Sequence, residues 1–223
     1  MSNFDRIADS YRDDVESGMI LKGNNHDYFQ EYKMIYLGKI IKQYKVKKIL
    51  DYGCGIGILA QFIHVTFPEL IIHGFDISSK SIQDIPGELK EYPNYFTSEY
   101  NTLSHDYDLV IVSTVLHHVP IPDRHEVMKK IYNTMKQHGH LVVIEHNMIN
   151  PLTRKSVAEC PFDDDAIMLS VNECKTLVKN TNFKNVHRKY ITFFPKQLSF
   201  MRGLDSYIGW LPLGAQYMII GEK

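Results

Sequence analysis

The apolar positions of this chain switch repeatedly between helical spacing and short buried runs, and the switch points predict its elements. Residues 26–44 place Tyr28, Tyr32, Ile35, Tyr36, Ile40 and Tyr44 at helical intervals, which predicts an amphipathic helix. Lys47–Asp51 reads as a short strand ending on an acid, and Ile58–Phe67 as the helix after it. Leu70–Phe75 repeats the design and is followed by Asp76. Residues 79–91 predict a helix interrupted near Pro86 and Gly87, with a short strand around Tyr95–Thr97. The unbroken apolar run Asp108–Ser113 fits a strand covered on both faces. Asp123 and Glu126 read as a capping box for a helix through Val127, Ile131 and Met135, which Gly139 ends before a strand at His140–Glu145. Ser170 and Glu173 predict a second capping box, for a helix to about Thr181. Strands at His187–Phe194 and Gln216–Gly221 close the chain. Of the nearby aromatics (Tyr190, Phe193, Phe194, Phe200, Tyr207, Trp210, Tyr217), most are expected in the core.

Strands alternating with helices predict an α/β fold with a mainly parallel sheet. The last two strands lack a helical crossover between them, so an antiparallel C-terminal strand is expected at one edge. No repeat or Gly/Ser/Pro-rich linker divides the 223 residues, which suit one well-buried domain.

Composition narrows the function. The 25 basic and 26 acidic residues nearly cancel, so no overall attraction draws the chain to nucleic acid or to an anionic membrane. No apolar run approaches the ~18 residues of a membrane span, and the N-terminus lacks a signal-peptide design. Cys54, Cys160 and Cys174 form neither a CxxC pair nor a disulfide framework, so a reduced, cytoplasmic protein is expected. Cys160 reads as a small buried thiol.

The chemistry concentrates in KKILDYGCGIGILA. Gly53, Gly55 and Gly57 stand between a strand and a helix, where missing side chains let a ligand approach backbone amides and a helix N-terminus. Asp51 precedes them. Asp76, at the end of the second strand, can accept both hydrogen bonds of a ribose diol. The GxGxG spacing departs from the GxGxxG of nicotinamide binders. A NAD-dependent oxidoreductase is the alternative reading, and a non-catalytic cofactor-binding domain a further one.

Four ordered segments, ILDYGCGIG, GFDIS, YDLVIVSTVLHHVP and GHLVVIEHN, resemble the class I S-adenosylmethionine-dependent methyltransferase family. The resemblance covers Lys48 to Glu145 and implies a Rossmann-like three-layer sandwich with S-adenosyl-L-methionine as cofactor. It implies that the first turn holds the cofactor's methionine end, that Asp76 binds the ribose and that Glu99 contacts the adenine amino group. Ile77 and Ser113, inside two of these segments, join the expected cofactor contacts. The opening FDRIADSY is similar to the family's N-terminal segment, which makes Tyr11 a candidate lid contact and residues 1–46 a helical lid. The stretch from Glu145 to Leu169 resembles an acceptor-site insertion of a bacterial subgroup, placed at residues 147–170.

At the carboxyl edge of the sheet, His117, His118 and His146 are the candidate catalytic bases. Adjacent histidines on a strand face opposite ways, so at most one of His117 and His118 is expected to reach the acceptor. Glu145 beside His146 is expected to raise its pKa. Asn147, Asn150, Arg154 and Asp163–Asp165 are possible acceptor or gate residues. The three acids read as surface charge or helix caps, and no metal is expected. The inferred reaction is methyl transfer to a small molecule, at oxygen, with a histidine as base.

Overall fold

The computed structural model describes residues 26–160, 163–164 and 166–223. Tyr11, most of the expected lid and Asp165 lie outside the described residues. In chain order the main elements are α1 (His26–Gln43), β1 (Lys48–Tyr52), α2 (Ile58–Thr66), β2 (Ile71–Phe75), α3 (Ser79–Gln83), β3 (Tyr95–Thr97) and β4 (Tyr107–Ser113). They continue with α4 (Arg124–Thr134), β5 (Met135–His146), α5 (Pro151–Ala158), α6 (Val171–Asn180), β6 (Lys184–Ile191), α7 (Asp205–Ile208) and β7 (Gln216–Glu222). The seven strands lie in the order β3-β2-β1-β4-β5-β7-β6. Pairings among the first five are parallel, and β7 runs antiparallel to both its neighbours. This is the expected Rossmann-like sandwich.

Alternation along the central strands creates two buried layers. Ile49, Leu109, Ile111, Val142 and Ile144 pack with Tyr32, Leu37 and Ile63 of α1 and α2. Leu50, Val110, Val112, Leu141 and Val143 pack with Met128, Ile131 and Val178 of α4 and α6. Residues one apart on a strand face opposite layers. The run in β4 is apolar throughout because both its faces are covered.

Several local expectations change. On α1 the buried stripe includes Tyr28, Tyr32, Tyr36 and Ile40, but Leu37 and Ile41 complete it while Ile35 and Tyr44 are exposed. Asp123 makes no capping bond; it has right-handed helical φ/ψ (−89°, −16°) and already belongs to the turn entering α4. Ser170 and Glu173 form both bonds of their capping box. The helix before β5 stops at Thr134 rather than Gly139, because Met135 is extended (φ −89°, ψ 150°) and pairs with Tyr107. Gly139 sits instead where the ladder shifts register. A Cβ there would come 3.0 Å from the carbonyl oxygens of Lys136 and Tyr107, so the close strand approach requires glycine.

Near the C-terminus, β6 starts and ends three residues earlier than expected, stopping before Thr192 at φ 62°. Tyr190 and Tyr217 are core, whereas Phe200, Tyr207 and Trp210 are exposed because they ride on the irregular segment between β6 and β7. Cys54 and Cys174 are buried, but Cys160 is only partly so, since it lies at the end of the insertion's helix. Among the described residues, no helix is long and apolar enough to cross a membrane.

Candidate active site

The turn after β1 is held open by its glycines. Gly53, Gly55 and Gly57 have φ of 81°, 52° and 81°, a region that residues with a Cβ rarely enter. The amides of Gly53 and Cys54 donate to the Phe75 carbonyl at 2.7 and 3.0 Å, tying this turn to the end of β2. The Asp76 carboxylate completes the tie, accepting from the Gly55 amide at 2.8 Å and from the Ser78 amide at 2.9 Å. A carboxylate has about four acceptor positions, so Asp76 can brace the loop and still meet a diol. Ile77, beside it, is 62% exposed, and the Glu99 side chain is exposed at the neighbouring edge.

For Asp76→Ala we expect cofactor-product affinity to fall about 10- to 100-fold, the value of hydrogen bonds to a charged group. Calorimetry with S-adenosylhomocysteine measures it, and unchanged affinity would remove Asp76 from the site.

Two buried charges lie next to this turn. Lys33 projects from α1, is 4% exposed, and donates from Nζ to Ser113 Oγ at 2.8 Å. Burial lowers its pKa to about 8, against the opposing pull of Asp51 and Glu145. Asp51 is 2% exposed, and its Oδ2 has no hydrogen-bond partner among the described residues. Burial raises its pKa to about 7, with Lys33 pulling the other way and Asp76 adding to the rise.

A second polar group occupies the ends of β4 and β5. Here Leu116–His118 is a 3-10 turn, not strand, so the two histidines need not face opposite ways. Both ring Nε2 atoms approach Asp163 Oδ1, at 3.4 Å from His117 and 3.7 Å from His118. Glu145 Oε1 accepts from the amides of Val115 (3.1 Å) and Leu116 (2.7 Å), and its Oε2 lies 2.5 Å from His117 Nδ1. Burial disfavours the imidazolium of His117, but Glu145 and Asp163 prevail and raise its pKa to about 9.

Glu145 therefore serves His117, not His146. The alternation of β5 turns Glu145 and His146 to opposite faces. Burial, and then the charge on His117, push the His146 pKa down to about 4, the reverse of the expected rise. Its ring centroid lies 5.3 Å from that of His117.

The insertion packs directly against this cluster. Asp163 is not a surface acid or a cap, because the turn after Cys160 brings it inward and leaves its side chain only 7% exposed. The Ile167 amide donates to the His117 carbonyl at 2.8 Å, and Arg124 bridges the carbonyls of Val119 and Ile167. Asn147 donates to the carbonyls of Pro212 and Gly214, and Asn150 caps α5 while donating to Leu213. These bonds commit both asparagines to anchoring. Arg154 and Asp164 are exposed.

The His117, His118 and Asp163 ligand atoms lie within 4.8 Å of one another, close enough to gather on a cation. Glu145 and Asp163 face the two His117 nitrogens, so ion pairing also accounts for this grouping. Sequence reasoning missed Lys33 and named Asp163 only within the acids 163–165. Lys33 had a signal, a charge three residues before Tyr36 and four before Leu37 on the buried stripe; nothing in the sequence marked Asp163 out from its two neighbours.

Residues 50–141 match the family described as the methyltransferase domain. The chain is 24% identical over 155 residues to demethylmenaquinone methyltransferase of Thermotoga maritima, covering 70% of this chain and 64% of that one. It is 23% identical over 145 residues to ribosomal RNA small subunit methyltransferase C of Aliivibrio fischeri, over 61% of this chain and 39% of that protein. It thus spans less than two thirds of the length of either relative. A solved S-adenosylmethionine-dependent methyltransferase from Archaeoglobus fulgidus superposes with a TM-score of 0.64 at 18% identity, covering 87% of this chain and 94% of that structure. With the glycine turn and its acid in place, residues 50–141 match a methyltransferase domain, on a fold shared with solved S-adenosylmethionine-dependent methyltransferases.

Proposed function

We propose that the chain is an S-adenosylmethionine-dependent methyltransferase, in preference to the nicotinamide and non-catalytic readings, that it methylates an oxygen of a small-molecule acceptor and that His146 takes the acceptor's proton. The observation that carries the base assignment is the state of His146. No hydrogen bond occupies its ring among the described residues, and a pKa near 4 leaves it neutral at pH 7. A neutral imidazole keeps the lone pair that a base needs, whereas His117 is held protonated between two carboxylates.

When bound, S-adenosylmethionine supplies a methyl carbon activated by a positively charged sulfur. The residues present fit it: a glycine turn with open space beside Gly55, a ribose acceptor in Asp76 and a buried polar pair in Lys33 and Asp51. Gly53–Gly57 and Asp76 fix the cofactor's place relative to the ends of β4 and β5. His146, on the face shared with Ile144 and the end residue Ser113, receives the proton of a hydroxyl nucleophile. Alignment can contribute ~7–11 kcal/mol of barrier lowering, and a base adds where the nucleophile must be deprotonated. His117 and Glu145 hold the turn that lines the site.

Three features support a small acceptor. Net charge is −1, Asp163 and Ile167 close against the histidine turn, and one relative is named for demethylmenaquinone. We read residues 1–223 as one domain, with a lid at 1–46 and an acceptor cover at 147–170. Three cysteines, none in a disulfide, support a reducing, cytoplasmic setting.

Incubating the enzyme with cell extract and isotopically labelled methyl donor tests the acceptor class. We expect label in the small-molecule fraction; label confined to RNA or protein would overturn the reading. The pH profile tests the base. At saturating cofactor and acceptor, the acid limb of kcat should fall below pH 6, because His146 protonates only near 4. A limb at the ordinary histidine value of about 6.5 would contradict it.

A further inference from the structure

We propose that Gln216 is the second anchor of the methyl acceptor: its amide oxygen takes a hydrogen bond from a hydroxyl next to the one that is methylated, so the acceptor is a vicinal diol. This rests on the reading that His146 takes the proton of a small molecule's hydroxyl, and it names the class of that molecule.

A polar atom withheld from water without a partner is costly, and such atoms are rare in folded proteins. Gln216 is 5% exposed, and its Oε1 is buried without a hydrogen-bond partner among the described residues. Met218 and Ile220, the next residues of β7 on the same face, are core, so packing alone would suit an apolar side chain here. Thr192 stands in the same corner. It follows Ile191, the partner of Gln216 on β6, and its carbonyl accepts from the Ala215 amide at 2.9 Å. It too is 5% exposed, with Oγ1 buried and without a partner among the described residues. Its φ of 62° is one that β-branched residues seldom adopt, and such strain gathers at ligand sites.

The ladder sets this corner beside the base. Gln216 pairs directly with His146 across β5 and β7. Paired residues of neighbouring antiparallel strands share a face, with Cβ atoms about 4.5–5.5 Å apart. Both side chains therefore stand on the side of the sheet where Ile144 and Met218 pack with Tyr32 of α1. A hydroxyl has one proton. In the transfer that proton goes to His146, the oxygen bonds the methyl carbon, and the carbon–sulfur bond breaks to release a neutral thioether. The same hydroxyl has nothing left to give Gln216, so a second donor must meet Oε1. Side chains that start so close together reach adjacent oxygens, the arrangement of a vicinal diol in a sugar or in a catechol ring.

Gln216→Met keeps the length of the side chain and removes the amide. It should lower kcat/KM for the acceptor about 10- to 100-fold, as expected where a polar group of the ligand is left unpaired in a buried site. Affinity for S-adenosylhomocysteine should stay unchanged by calorimetry. The melting temperature of the free enzyme should hold or rise, because an unpaired buried acceptor is gone. A lower melting temperature with kcat/KM kept would show a structural role and overturn the proposal. The wild type tests the acceptor class without any substitution. Small molecules filtered from a cell extract are treated with periodate, which consumes vicinal diols, and the periodate is quenched before the enzyme and S-adenosylmethionine labelled at the methyl are added. Labelling seen in the untreated pool should disappear; undiminished labelling would overturn the proposal. The NMR shift of the carbon bearing the new methoxyl then tells a sugar from a catechol ring. If the untreated pool takes no label, methylation of a small molecule, the reading beneath the proposal, fails instead.

Discussion

Replacing His146 by alanine should lower kcat by about 10²- to 10⁴-fold while leaving affinity for S-adenosylhomocysteine essentially unchanged. The split follows from where the residue stands. His146 ends β5, whereas the amides of Gly53–Gly57, the Asp76 carboxylate and Lys33 belong to other elements. No hydrogen bond of the fold depends on its ring among the described residues, so truncation should remove a proton acceptor without loosening the cofactor site. Removing a half-buried neutral ring also leaves no unpaired charge behind. Steady-state turnover with the identified acceptor, alongside calorimetry, measures both halves. Normal turnover would exclude His146 as base; equal losses in turnover and affinity would mean that it supports the fold instead. His117→Asn is the contrasting variant, because its ring touches Glu145 and Asp163 and its loss should disturb the turn itself.

Glu145→Gln should destabilise the protein by ~3–5 kcal/mol, the usual cost of breaking a buried charge pair by removing one partner. For a chain of this size that corresponds to a melting-temperature fall of roughly 6–20 °C. Glu145 is 1% exposed, and its two oxygens serve three donors: the amides of Val115 and Leu116 and the His117 ring. A glutamine keeps one acceptor oxygen but turns an amide group towards one of these donors. It also leaves the buried imidazolium with Asp163 as its one remaining carboxylate among the described residues. Removing both charges with Glu145→Gln/His117→Asn should recover much of the loss, because the remaining defect is one of fit and not of charge.

The pair also carries a pH signature. His117 titrates near 9 when folded against about 6.5 when unfolded. Its stabilisation is therefore full below pH 6.5 and is lost as pH rises through 9. Denaturant melts across that window should show this decline in the wild type and not in Glu145→Gln. A destabilisation below ~1 kcal/mol at pH 7 would show that the pair is not buried as described.

What the chain discloses in one dimension is the direction of side chains within an element. The two layers of β4, the switch to helix after Gly57 and the acid at the end of β2 were all legible that way. The position of Lys33 was visible too, since a charge at a buried helical spacing asks for an explanation. Contacts between elements were not. Periodicity could say that Glu145 and His146 point apart, but not that the turn after β4 folds back to give Glu145 its three donors. That turn is 3-10 because Glu145 satisfies its amides, so its shape depends on a residue almost thirty positions away. Asp163 is hidden for the same reason: it stands among three acids, and nothing in the sequence tells that its side chain meets the His117 ring. The misplaced start of β5 has another cause. Strand pairing with Tyr107 outweighs the helical spacing that runs on through Met135.

The most direct test of the account is the bond made to the transferred methyl group. Enzyme, S-adenosylmethionine labelled with carbon-13 at the methyl, and the acceptor found by label profiling should yield a product whose labelled carbon is bonded to oxygen by NMR. A label bonded to nitrogen or carbon, with His146→Ala turning over as fast as the wild type, would contradict both the acceptor atom and the need for a base.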